Sequence, residues 1–268
     1  MAFTISDLAI TSIETVTAYD VVTGAYMWQL DELQNVSIAQ SEEKTDITGK
    51  QGRKITSLKR NKTITLSGAN GMLSSGMMES QTGGNFENKQ VPVNWSENLV
   101  VNSSKATTSF KAVGTAGAEI KKVIIKNSDG TINSTLEQAA SAAAGKFAYD
   151  PATKELSFHT DIEDGTEVNV LYDRKILADT LTDYSDKYSG KAHIYVDAMA
   201  EDKCGNVFRV QIEIPKGDFN GEATWEMGEN QTVHNFEIEA LSGACGNASK
   251  SAALFTWTIF GANAADVA

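Results

Sequence analysis

The chain has 268 residues, of which 41% are hydrophobic and 22% charged, with a formal net charge of −12. That composition argues for a folded protein and against global disorder, and the length allows one large β domain or two smaller ones. The acidic balance disfavours a nucleic-acid clamp, which needs a basic surface to displace counterions.

Only Cys204 and Cys245 are present, too few for a disulfide-stapled scaffold, and both are expected to be free, buried thiols. The opening Met1–Asp7 has neither a charged leader nor an apolar core, so no signal peptide is expected. No run of about 18 apolar residues occurs that would span a membrane. Synthesis in the cytoplasm is the corresponding expectation.

Taken in order, Tyr19 to Trp28 reads as a hairpin turning at Thr23-Gly24, and Leu33 to Gln40 alternates with Val36 and Ile38 inward. From Ser41 to Asn61 the pattern breaks into a long polar stretch, expected to be a functional loop. Thr63 to Ser67 resumes a strand with Ile64 and Leu66 inward. A short helix is expected over Met72–Glu79, because Leu73, Met77 and Met78 stand at helical spacing. Val91 to Trp95 is extended, with Pro92 favouring an edge strand.

Residues 97–177 change in character and are expected to form a small β-rich insertion, with 1–96 and 178–268 forming the main β-sandwich. Within the insertion, Ile120 to Lys126 is a strand ending at the turn signal Asn127-Ser128-Asp129-Gly130. Leu136 to Ala144 reads as a helical turn or a loop, and Lys154 to Thr160 and Glu167 to Tyr172 as strands. Leu177 to Lys187 is expected to be a short helix or loop, and Lys191 to Met199 pairs with Val207 to Ile214. The last strands alternate most cleanly: Phe236, Ile238 and Ala240 on one face oppose Asn235, Glu237 and Glu239 on the other. Trp257, alternating with Phe255 and Ile259, is expected to be buried.

No catalytic constellation emerges. His159, His193 and His234 each stand alone in strand patterns, without metal-ligand spacing. There is no nucleophile elbow, P-loop or dinucleotide fingerprint, and Asp161, Glu163 and Asp164 read as an acidic turn rather than a calcium loop. No enzyme, cofactor or metal is therefore expected.

Charge is distributed unevenly. Between Ile47 and Met78 no acidic residue occurs, while Lys50, Arg53, Lys54, Lys59, Arg60 and Lys62 crowd the first half of that stretch. Between Gly217 and Ser249 there is no Lys or Arg, while Asp218, Glu222, Glu226, Glu229, Glu237 and Glu239 are acidic. A basic loop and an acidic sheet on one chain can pair internally or join copies head to tail. An acidic wall would also let a nucleic-acid backbone pass without sticking.

Two stretches carry a resemblance. One is Asp46-Ile47-Thr48-Gly49-Lys50-Gln51-Gly52-Arg53-Lys54-Ile55 with the strand and helix after it. The other is Gly221-Glu222-Ala223-Thr224-Trp225-Glu226 leading to Phe236–Leu241 and the strand Phe255–Ile259. In these, over roughly 1–95 and 178–260, the chain resembles the major tail tube proteins of long-tailed, non-contractile (siphovirus-like) bacteriophages. The resemblance implies a mainly β protomer, an antiparallel β-sandwich or half-barrel with a short flanking helix. It further implies hexameric rings stacked into a tube for DNA ejection, with other tail proteins as partners and the virion as location. The Ser41–Asn61 loop, with Lys50, Arg53, Lys54, Lys59 and Arg60, would reach a neighbouring ring or subunit. Glu222, Glu226, Glu237 and Glu239 would form an acidic channel or docking face. Two alternatives stay open: a capsid-surface or baseplate component, and a carbohydrate-binding β-sandwich using Trp28, Trp95, Trp225 or Trp257, which otherwise read as core or interface residues.

Overall fold

The computed structural model describes residues 7–127, 130–228, 232–243 and 253–261. Cys245 lies outside them, so the question of its pairing does too. The fold is mainly β, with a single α-helix among the described residues, and divides into two compact units, 1–86 with 181–268 and 87–180.

The first unit is one antiparallel sheet curled into a half-barrel. Its strands are β1 (Leu8–Asp20), β2 (Tyr26–Leu30), β3 (Leu33–Thr48) and β4 (Lys54–Asn70) from the first segment. The second unit supplies β5 (Glu87–Val100), β6 (Lys105–Thr107), β7 (Ile120–Lys126), β8 (Ile132–Gln138), β9 (Lys146–Asp150), β10 (Glu155–Phe158) and β11 (Glu167–Thr180). The chain then returns to the first unit with β12 (Lys191–Asp202), β13 (Val207–Phe219), β14 (Trp225–Met227), β15 (Thr232–Ala240) and β16 (Thr256–Gly261). The half-barrel has the order β2-β1-β12-β13-β15-β4-β3, with β14 on β15 and β16 on β13.

Period-two alternation puts every second side chain on the inner face. Val16, Val196 and Ile212 face one another in register across β1, β12 and β13, and Leu66, Ile238 and Phe219 do so across β4, β15 and β13. All six are buried. The alternation expected for Phe236, Ile238 and Ala240 is borne out, since these are buried while Glu237 and Glu239 are exposed.

Helix α1 (Ser75–Thr82) begins three residues later than expected. Capping explains the shift: the Ser74 side chain accepts from Met77 N, and Gly83 ends the helix in the left-handed region at φ 69°. Met77 is buried, but Leu73 falls outside the helix and is exposed. Gly76 lets the helix approach β2, since a Cβ there would stand 2.8 Å from Trp28 Cβ.

In the second unit the order is β5-β11-β7-β8-β9-β10-β6, antiparallel except for the parallel pair β8–β9. Pro92 lies on the edge strand β5, where no second neighbour needs its missing N–H. Val168, Val170 and Tyr172 of β11 anchor a core with Val123, Phe147 and Leu156.

Several expectations are corrected. Leu136 is in strand β8, which runs to Gln138, and of the helical turn or loop expected there the loop is found, over 139–145. Leu177 continues β11 to Thr180, and of the helix or loop expected from there the loop is found, over 181–190. Cys204 is exposed because it sits in the β12–β13 turn, where Asp202 Oδ1 accepts from the N–H groups of Cys204 and Asn206. Trp257 is 47% exposed, for β16 pairs only with β13 and leaves the indole at the rim of an apolar hollow with Ile10 and Ile13.

Candidate assembly surfaces

The stretch 41–61, expected as a loop, is the outer half of the β3–β4 hairpin. The ladder continues from Glu43↔Arg60 through Lys44↔Lys59, Thr45↔Leu58 and Asp46↔Ser57 to Thr48↔Lys54. Threonine and β-branched residues support an extended ribbon, and the tip is closed by a tight turn in which Gly49 N–H donates to Arg53 O at 2.7 Å. Gln51 and Gly52 take positive φ there, 63° and 74°. At the base, Asn61 has φ 48° beside a register shift, and its Nδ2 donates to Glu43 Oε2 at 2.8 Å. A bulge therefore marks where the arm leaves the sheet.

Among the described residues, most of the arm's side chains are exposed. Ile47, Ile55 and Leu58 are exposed on it, Ile55 to 69%. The basic residues divide into two groups. Lys59 pairs with Glu42 at 2.5 Å and Lys54 with Asp46 at 2.7 Å, so both are spent within the arm. Lys50, Arg53 and Arg60 form no ion pair among the described residues, and Lys50 and Arg53 flank the tip. The sequence thus overcounted the free positive charge by missing the cross-strand carboxylates.

The acidic residues are also divided. Glu222 and Glu237 line one concavity of about 390 Å³ with Asn35, Gly68, Asn220 and Thr224. An Asx turn, Glu222 N–H to Asn220 Oδ1 at 3.0 Å, places the first carboxylate. Glu239 lies further along the same exposed face, directly opposite Asp218, and Glu226 sits on β14 opposite Val233; neither lines the concavity.

Beneath this surface is a buried polar layer that sequence reasoning missed. His234, expected to be one more strand residue, is fully buried. Its Nδ1 lies 3.3 Å from Ser74 N, and its Nε2 lies 3.0 Å from Trp225 Nε1 and 2.8 Å from Gln81 Oε1, so Nε2 either accepts the indole proton or, when protonated, donates to Gln81. Gln81 Nε2 in turn donates to Asn235 O at 3.0 Å. Burial lowers the imidazole pKa from 6.5 to about 4. Trp28 Nε1 donates to Ser80 Oγ at 2.8 Å, so α1 is held to the sheet largely by hydrogen bonds. A buried-face pattern of Ser80, Gln81 and Thr82 gives no hydrophobic signal to read.

Among the described residues no group of His, Cys, Asp and Glu could hold a metal ion. Among the same residues no helix is long and apolar enough to cross a membrane. The fold is a mainly β one with an exposed β3–β4 arm. The chain belongs to the YomU/Tube protein family, whose model matches residues 8–254, and that membership fits a phage tail tube protein. No curated protein matches the chain.

Proposed function

We propose that the chain is the protomer of a phage tail tube of the long-tailed, non-contractile kind. Copies close into hexameric rings, rings stack into a hollow tube in the virion, and DNA passes through it without specific binding. Other tail proteins join it, and synthesis takes place in the host cytoplasm. No catalysis, cofactor or membrane enters the reading.

The observation that carries it, beside the family, is the arm. A two-stranded ribbon has no core of its own, and its exposed apolar residues together with unpaired Lys50 and Arg53 suit burial against another copy. A contact between unlike surfaces of identical copies generates rings or filaments. The Glu222–Glu237 concavity offers the opposite charge, whereas Glu226 and Glu239 are left for the channel wall or the rim of the docking face.

Electron microscopy of the purified protein should show rings or tubes with a central hole. Replacing 44–59 by Asn-Gly shortens the arm to its Glu43↔Arg60 pair and should stop stacking while the protomer stays folded. A species that stays monomeric at every salt concentration and protein concentration would sink the reading. Reversing Glu222 and Glu237 to Lys should impair stacking, and the pair Lys50→Glu and Arg53→Glu should restore it if the two surfaces meet.

A further inference from the structure

Among the described residues three buried side-chain polar atoms lack a hydrogen-bond partner, and two of them, Trp95 Nε1 and Arg174 Nε, belong to one stack in the second unit. Trp95 stands opposite Tyr172 and Arg174 opposite Val93, so the two are diagonal neighbours on one face of the β5–β11 ribbon. The guanidinium carbon lies 4.4 Å from the Trp95 ring centre and 3.8 Å from that of Phe110. The rings meet edge to face at 5.3 Å, so Arg174 sits in the corner between them.

A guanidinium is a planar fork of five donors that matches a carboxylate, yet among the described residues Arg174 has only ring contacts. The nearby carboxylates are engaged elsewhere. Glu97 accepts from Tyr172 Oη at 2.7 Å, Ser109 N at 2.9 Å and Ser109 Oγ at 2.5 Å, and Asp173 pairs with Lys121 at 2.6 Å. Phe110 is the cover. Its backbone is pinned, N–H to Tyr172 Oη at 3.3 Å and carbonyl to Thr108 Oγ1 at 2.7 Å, while its ring is 40% exposed. Only the ring is free to rotate aside, and the exposed Lys111 follows it in the chain.

We propose that this corner is a carboxylate-binding site: the Phe110 ring swings out, and the carboxylate takes hydrogen bonds from Arg174 and from the Trp95 indole N–H. Paired donors that are buried without acceptors call for a partner, and an ionised acceptor gives the strongest bond to a guanidinium. The carboxylate comes either from a free acid or from an acidic side chain of a second copy.

The test is tryptophan fluorescence of the full chain titrated with sodium acetate at constant ionic strength, with sodium chloride and sodium sulfate as controls. Acetate should give a saturable change that Trp95→Phe removes. Arg174→Gln should abolish acetate binding and Arg174→Lys should weaken it at least fivefold, with urea unfolding showing that both variants are folded. Phe110→Ala should tighten binding several-fold by removing the cover. No saturable change in either the natural chain or Phe110→Ala overturns the site, as does an unchanged response in a folded Arg174→Gln. Sulfate binding as tightly as acetate overturns the carboxylate assignment. Sedimentation then separates the sources. Self-association weakened by Arg174→Gln and by acetate places the carboxylate on a second copy, and indifference to both assigns the site to a free acid.

Discussion

Strands β3 and β4 form one ribbon with two different lives. In the body, Ile64 and Leu66 are fully buried against β15 and the half-barrel core. Beyond the Asn61 bulge, the same ladder of backbone hydrogen bonds continues, but the side chains of both strands face water. Backbone pairing is therefore continuous where burial is not. Strand identity comes from register, whereas stability comes from what the side chains meet, so the body half holds the fold and the arm half is available for a partner.

The largest expected effect sharpens that contrast. Leu66→Ala removes a fully buried side chain between Ile38 and Ile238 and should cost about 2–5 kcal/mol. Leu58→Ala, on the arm, should change the monomer's stability by no more than about 0.5 kcal/mol. Urea unfolding of the two variants measures both. Equal losses would mean that the arm packs against its own protomer, and the distinction between the two halves would fall.

This division also explains what could be read in the sequence. Alternation reports which side chains face a core, so the body strands, the β1–β2 hairpin and the β12–β13 pairing were legible residue by residue. The arm was not, because Ser41 to Asn61 alternates no apolar side chains, and its strands are set by pairing between Glu43 and Arg60 and their neighbours. The charge contrast was visible, but its geometry was not. Lys54 and Lys59 looked free until the ladder brought Asp46 and Glu42 beside them. Trp257 shows the converse error, since alternation alone cannot tell an inner face that is covered from one that opens on a hollow.

A second expected effect concerns the polar layer under α1, which behaves unlike both halves of the ribbon. Folded His234 titrates at about 4 because burial disfavours its charged form, against 6.5 for the free side chain. Above about pH 6.5 the imidazole is neutral in both states and its contribution is complete. As pH falls below that value, the unfolded chain takes up a proton that the folded chain refuses. Stability should drain between about pH 6.5 and 4, by on the order of 3 kcal/mol at most. Subtracting the stability of His234→Gln at each pH isolates this share from the carboxylates. A difference that stays flat from pH 7 to 4 would show that the imidazole is protonated in place and that burial does not hold it neutral.

The smallest expected effect probes the arm's own charges. Lys59 and Glu42 are both well exposed, 61% and 37%, so their contact is screened and should contribute little to the protomer's stability. Lys59→Ala should therefore leave urea unfolding almost unchanged. Its consequence for assembly should share its direction with that of Arg53→Ala but differ in origin. Removing Lys59 frees Glu42 and adds a naked negative charge to the arm, which an acidic receptor would repel, while removing Arg53 deletes an attraction. Both should weaken stacking relative to the natural chain, and raised salt should narrow both deficits, because screening weakens the added repulsion and the lost attraction alike. Light scattering of the two variants across a salt series reads the difference. If neither deficit changes with salt, the arm docks through Ile47, Ile55 and Leu58 alone, and its charges serve only to keep the exposed ribbon soluble.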